Sequence, residues 1–390
     1  NSVSELSMHA SMMLEESSED FCPGEAAEER LQLFHESWSR RGGGANTTTT
    51  TTTTPRRGAS CSSSSSSLVP PQNRKDLNRY DEGDFHYGRI VGKGSFSTAH
   101  CVYLRSSNRN FRRGGHKEES GQAYALKKLQ PRVYKEKKLL KTAVSDLALE
   151  AEILANLKHE NIITLYGVKE GDMIQSLKDG SFFLVLDLLV ETLDVRMLRW
   201  LAKRRPVRAK IRSEGVRARL QDVALGIAKG MEYLHSKHII FRDLKPANIG
   251  FDEFGDVKIF DFGLSREIDP AETSSSQQFS FKPRLMTGGA GTPRYMAPEV
   301  AKMDHSYGFP ADVYSFTILL WQIVTMQTPF GSISSPIEFA AKVLKGNKRP
   351  PLRNVESEEI KALLQAGWSI QPEHRPTFAC MHQSLTAILR

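Results

Sequence analysis

Apolar positions change their period along this chain, and the changes mark out its elements. Ile90-Val91-Gly92-Lys93-Gly94-Ser95-Phe96 reads as a strand running into a glycine turn, and Ala99-His100-Cys101-Val102-Tyr103 as the returning strand. Ala123-Tyr124-Ala125-Leu126-Lys127 is a short alternating strand that ends in a lysine. The spacing then lengthens to i, i+3, i+4, i+7. Leu147, Glu150 or Ala151, Leu154 and Leu157 share one side, which predicts a helix over 146–157 with Glu150 inward and Glu152 toward the outside. Phe182-Phe183-Leu184-Val185-Leu186 is an apolar run of strand length, and Asp312 opens an apolar helix through Trp321. That helix is too short, and too closely bounded by polar residues, for the ~20 apolar residues a membrane span needs.

The first eighty residues differ in kind. Thr47 to Thr54 is unbroken threonine and Ser62 to Ser67 unbroken serine, with Gly42-Gly43-Gly44 before and Pro70-Pro71 after them. Such a stretch cannot bury enough apolar surface to offset its ordering entropy, so residues 1–83 are expected to be a disordered tail. Within it, Glu28 to Trp38 carries Leu31, Leu33, Phe34 and Trp38 on or near one side of a short amphipathic segment, either a transient helix or a docking element. The chain opens on Asn1, which leaves room for a preceding segment and a targeting signal.

Composition adds bounds. The 390 residues are enough for a two-lobed core, and the net charge of +8 is unevenly spread. A basic run follows from Arg196 and Arg199 to Arg217 and Arg219. Apart from Trp200 it lacks interleaved aromatics, and no recognised binding motif accompanies it, so no nucleic acid is expected; it reads as a solvated face or a dock for an acidic or phosphorylated partner. Ser106 to Gly121 reads as a long loop inserted between strands. Cys22, Cys61, Cys101 and Cys380 are scattered without metal spacing, which suits a reducing compartment, the cytoplasm or alternatively the nucleus.

The chemistry gathers in Phe241-Arg242-Asp243-Leu244-Lys245-Pro246-Ala247-Asn248, followed thirteen residues after Asn248 by Asp261-Phe262-Gly263. Phosphoryl transfer needs a carboxylate beside the attacking hydroxyl, cations over the phosphates and ligands for Mg²⁺, and these residues supply them in order. Together they resemble the catalytic loop and metal-binding turn of a protein kinase. Gly291-Thr292-Pro293-Arg294-Tyr295-Met296-Ala297-Pro298-Glu299 resembles the segment closing the activation loop, with Arg375 as the partner of Glu299. Asp312 resembles the aspartate that braces the catalytic-loop backbone. Lys245-Pro246-Ala247-Asn248 and Thr292 are of the serine/threonine form, whereas Asp312 to Phe316 and Gly367 to Phe378 resemble tyrosine kinases and their relatives; the combination is most similar to the tyrosine kinase-like group.

The resemblance covers about Asp84 to Arg390 and implies an α+β, two-lobed kinase fold. The small lobe would span about 84–189, mostly antiparallel β with one main helix, and the larger, mostly helical lobe about 190–390. It further implies ATP in the cleft, with Val91, Gly92, Lys93, Gly94, Ser95, Phe96, Ala99 and Ala125 above it. Asp187-Leu188-Leu189 would be the hinge, and Leu186 would control the back pocket. Lys127, paired with Glu150, would contact phosphates, and Lys128 would point away. Asn248 and Asp261 would hold Mg²⁺, or alternatively Mn²⁺. Asp243 would take the proton of a protein substrate's hydroxyl, and Lys245 would neutralise the γ-phosphate. The alternative is a catalytically weak pseudokinase acting as a nucleotide-binding scaffold. Three departures stand out. Ser97 replaces the third glycine of G-x-G-x-x-G, and Phe241 replaces a histidine, keeping a ring able to pack on Phe262. Gly250 replaces an apolar residue under the adenine, so packing there is either looser or made good by Phe251. Arg242 is expected to receive an activation-loop phosphate on one of Thr273, Ser274, Ser275, Ser276, Ser280 or Thr287, with Thr287 favoured by position.

Overall fold

The computed structural model describes residues 77–105, 122–202, 209–268, 292–301, 307–333 and 335–390. The low-complexity tail through residue 76, the 106–121 insertion and the stretch holding Thr273 to Thr287 lie outside the described residues.

A six-stranded sheet forms the first lobe: β1 Asn78–Tyr80, β2 Phe85–Lys93, β3 Ser97–Leu104, β4 Ala123–Leu129, β5 Leu165–Lys169 and β6 Phe183–Asp187, in the order β1-β5-β6-β4-β3-β2. β1 pairs parallel with β5, Asn78 opposite Gly167, and the other pairings are antiparallel. Asn78–Tyr80 thus belong to the sheet although they precede the boundary expected at residue 84. Three residues are too few for an alternation to be read. Side chains alternate along β4: Ala125, Lys127 and Leu129 face helix α1 (Lys137–Ala155), while Tyr124 and Leu126 join Phe85, Val102, Phe183 and Val185 in a separate core on the other face. Helix α1 starts nine residues earlier than its clear periodicity at Asp146, and it buries Ala143, Leu147, Ala151 and Leu154 against the sheet and the second lobe. A short helix α2 (Met173–Asp179) links β5 to β6.

The second lobe is mostly helical. β7 (Glu191–Thr192) leads into α3 (Leu193–Ala202), followed by α4 (Ala209–Arg219), a π-helical turn over Leu220–Ala224, and α5 (Leu225–Ser236). Short strands β8 (Ile239–Ile240), β9 (Ile249–Phe251), β10 (Val257–Ile259) and β11 (Arg266–Glu267) carry the catalytic loop and the metal-binding turn between them, β9 joining β7 and β10, and β8 pairing with β11. After α6 (Pro298–Ala301) comes α7 (Pro310–Thr325), apolar almost all round and so buried almost throughout; α8 (Pro336–Phe339), α9 (Glu358–Gly367) and α10 (Phe378–Leu389) enclose it. No helix among the described residues is long and apolar enough to cross a membrane.

The described part of the basic run is tied to the second lobe. Arg196 and Arg199 both pair with Glu191, Arg217 donates to the Leu389 carbonyl, and Arg219 donates to the carbonyls of Ile323 and Val324 at 2.7 and 3.0 Å. Arg199 and Arg217 stay exposed while making these contacts; the side chains of 203–213 lie outside the described residues.

Candidate active site

Strand, helix and turn converge on one lysine. β4 aims Lys127 at the cleft, where its Nζ lies 2.6 Å from Glu150 Oε2 on α1 and 3.0 Å from Asp261 Oδ1. Lys128, one residue on, faces the opposite way and pairs with Glu82 at 2.9 Å. Burial alone would depress the Lys127 amine, but the carboxylates of Asp261 and Glu150 raise it above the ordinary lysine value. Glu150 is pushed up by burial, against the pull of Lys127, while Asp261 is held below the usual carboxylate value chiefly by the Lys127 charge. Asp261 itself sits in the left-handed region at φ 70°, ψ 72°, which turns its carboxylate toward Lys127 while the next residue, Phe262, is fully buried. Phe262 packs edge-to-face on Phe241 with ring centroids 5.1 Å apart.

A second cluster surrounds Asp243. Its Oδ1 accepts from the Thr292 amide at 3.1 Å and hydroxyl at 3.2 Å, and its Oδ2 accepts from Lys245 Nζ at 2.5 Å and Asn248 Nδ2 at 2.9 Å. Four donors from three residues fix the carboxylate. Beneath it, fully buried Asp312 accepts from the Phe241 and Arg242 amides, both at 2.8 Å, and lies 3.0 Å from His235 Nε2. Arg242, at φ 73°, donates from Nε to the Leu264 carbonyl at 2.7 Å and from Nη1 to the Tyr307 hydroxyl at 3.0 Å. Its guanidinium thus ties the catalytic loop to the turn after Asp261. The phosphorylation sites expected to reach it are outside the described residues.

The glycine turn is anchored from below. Gln130 donates its side-chain amide to the carbonyls of Gly94 and Ser97 at 2.8 and 2.9 Å, its backbone amide donates to Phe96, and Arg132 donates to the Ser95 carbonyl at 2.6 Å. Ser97 opens β3 as an ordinary strand residue, and the Gly94 amide closes the turn onto its carbonyl at 2.9 Å. Gly92 faces Ala99 across the hairpin, a Cβ there meeting the Ala99 methyl at 3.7 Å, while Val91 and Lys93 flank it on β2. Ala125 and Leu186 are buried opposite each other on β4 and β6.

Two side chains of the expected hinge make contacts within the fold. The Asp187 carboxylate accepts from the Thr164 amide at 2.7 Å and the Tyr166 hydroxyl at 2.8 Å, so only its backbone is left for a ligand. Leu189 lies over Gly250: a Cβ at 250 would stand 2.4 Å from Leu189 Cδ1. Phe251 does not compensate, because its ring is buried and stacked by the Arg196 guanidinium at 3.3 Å from the centroid. Leu189 fills the place.

Sequence reasoning missed Asp146. One helical turn before Glu150, it lies beside Gly263, and burial pushes its carboxyl up to about 6, opposed by Arg266 and reinforced by Asp261 and Glu150. The i, i+4 spacing to Glu150 was the available signal. Closing the site, Arg375 donates to both oxygens of Glu299 at 2.5 and 2.9 Å.

The family model described as Protein kinase domain matches residues 85–386. A probable serine/threonine-protein kinase of Dictyostelium discoideum is 34% identical over 236 residues, which cover 59% of this chain and 14% of that protein. The serine/threonine-protein kinase CTR1 of Arabidopsis thaliana is 29% identical over 309 residues, 79% of this chain and 32% of its own length. The serine/threonine/tyrosine-protein kinase HT1 of the same plant is 33% identical over 230 residues, covering 59% of this chain and 51% of HT1. The chain spans about half the length of these relatives or less.

Proposed function

The chain belongs to the protein kinase domain family, and we propose that it transfers the γ-phosphoryl group of ATP to serine or threonine hydroxyls of protein substrates, as a member of the tyrosine kinase-like group. The observation that carries this reading is the meeting of Lys127, Glu150 and Asp261 within 3.0 Å, beside an Asp243 held by Lys245, Asn248 and Thr292. A nucleotide-binding scaffold has no need of both clusters.

Lys127, kept charged and oriented by Glu150, would bind the α- and β-phosphates. Asp243 would orient the substrate hydroxyl and accept its proton; Lys245 and Asn248 restrict it to one rotamer, and Lys245 stands ready for charge on the γ-phosphate. The donor set suits a hard divalent cation such as Mg²⁺: Asp261 offers a half-exposed carboxylate and Asn248 an amide, without the three-residue clusters of a closed metal site among the described residues. When bound, the metal neutralises charge on the phosphate oxygens. Most of the rate gain would come from positioning and fixed electrostatics.

The test is phosphate transfer from labelled ATP with Mg²⁺ to a generic basic protein, followed by phosphoamino-acid analysis. Asp243→Asn should keep nucleotide binding within a few-fold while cutting transfer by about a hundredfold or more, since only the base is lost. Wild-type protein that binds ATP without transferring phosphate would establish the scaffold reading instead.

A further inference from the structure

Helix α3 is apolar on two sides. Leu193 and Met197 are buried in the large lobe, yet Val195, Leu198 and Leu201 are 50%, 67% and 39% exposed. Set three residues apart, these side chains form one stripe along the outward face, where a surface helix ordinarily carries polar residues. Val190, just before the helix, is 54% exposed as well. Arg196 and Arg199 do not cover the stripe, because both are drawn back to Glu191.

We propose that this stripe is the docking surface for the chain's own N-terminal segment 28–38. Leu31, Phe34 and Trp38 recur at i, i+3 and i+7, a spacing that presents three large apolar side chains to one helix face. Charge favours the same pairing. Residues 1–38 hold nine carboxylates and one arginine, a net −8, so the remaining residues carry +16 of the chain's +8 total. The stripe also opens the most basic part of the sequence, with ten Lys and Arg against the single Glu214 from Arg196 to Arg219. The opposite net charges draw the acidic segment to the rest of the chain, and the apolar contact sets its register.

The connection is long enough. Residues 39–76 supply a Gly-, Thr- and Ser-rich connection of 38 residues, and a sequence of that length and composition has an r.m.s. span of about 35 Å. A tether of that kind holds the segment at an effective concentration of order millimolar, so even a weak contact of this small area is well populated.

The experiment uses the full chain with Leu198→p-benzoylphenylalanine, irradiated at low concentration and mapped by mass spectrometry. The expected result is an intramolecular cross-link into residues 28–38, reduced at least fivefold by Leu31→Glu with Phe34→Glu and weakened by raised salt. The same probe at Ile337, 42% exposed on α8, is the control and should give no such link. If the Leu198 variant fails to fold, Val195 carries the probe with the same expectation. Cross-links only to a second copy, to other parts of the tail, or equally from Ile337 overturn the proposal. The readout does not depend on nucleotide or on phosphate transfer.

Discussion

Removing Glu299 should cost the large lobe about 3 kcal/mol, because its partner cannot follow it into water. The Arg375 side chain is fully buried, stacked 5.2 Å from the Tyr314 ring centroid, and donates to both Glu299 oxygens as well as to the carbonyls of Ser369 and Pro310. Breaking a buried pair by deleting one partner typically costs about 3–5 kcal/mol, since it strands an uncompensated charge. The two carbonyl bonds survive in Glu299→Ala, which places the expected loss at the lower end. Arg375→Ala should cost less through charge, because Glu299 retains some exposure, but more through lost packing over Tyr314. Glu299→Leu combined with Arg375→Met replaces both charges with apolar groups of similar size, so the double variant should lose clearly less than the sum of its singles. Urea denaturation followed by the fluorescence of buried Trp321 and Trp368 reads this directly, and a fall in melting temperature of roughly 5–10 °C should accompany Glu299→Ala. A loss below about 1 kcal/mol for Glu299→Ala, or strict additivity in the double variant, would refute the reasoning.

Lys127→Ala should abolish phosphate transfer while Lys128→Ala changes it less than about threefold, since Lys128 bonds Glu82 on the outer face; a severe Lys128 defect would refute the strand register. Asp146 gives a pH signature. Its carboxyl is raised by burial from the ordinary value of 3.8 to about 6, so the stability tied to its neutral form is complete below about pH 3.8 and is lost as pH rises through 6. Asp146→Asn should therefore be more stable than wild type at pH 8, by up to about 3 kcal/mol, with the advantage shrinking toward pH 4; a pH-independent difference in melting temperature would sink this. Gly250→Leu should weaken nucleotide binding by about tenfold by displacing Leu189, and adding Leu189→Ala should restore most of it, measured by titration with ATP; no rescue would mean that Leu189 does not form the floor.

How much of this was legible beforehand depends on how local each signal was. Lys127 could be told from Lys128 because strand side chains alternate, and Glu150 from Glu152 because helix faces repeat; both rules operate within one element. The catalytic loop was legible as a string for the same reason, Lys245 and Asn248 being two and five residues from Asp243, while Thr292 reaches it from 49 residues on. The start of α1 was hidden because the lysine-rich turn from Lys137 lacks an apolar stripe as clear as the one after Asp146. β1 was hidden because a three-residue strand is fixed by its partner, β5, and not by its own pattern. The bonding of Arg217 and Arg219 to the second lobe was invisible in principle, because their acceptors are main-chain carbonyls 104 to 172 residues away. A run of cations looks the same in sequence whether it faces water or a helix end.

The three departures from the kinase pattern are each absorbed by a neighbour, and by a different physical means. Where the third glycine is Ser97, the turn is held by acceptors on its own backbone, with Gln130 and Arg132 as donors, so the loop's shape rests on hydrogen bonds instead of on glycine's freedom. Where histidine is Phe241, the backbone amide still reaches Asp312 and the ring still packs on Phe262; what the imidazole's hydrogen bonds would have fixed is fixed by the main chain and by apolar contact. Where the pattern's apolar residue is Gly250, Leu189 packs over the glycine. The first two substitutions keep a backbone path and change only a side chain. The third moves the side chain to another segment, joining the hinge to β9, so that a change at either position is felt at the other. That coupling makes position 250 the one departure whose reversal alone should harm the protein.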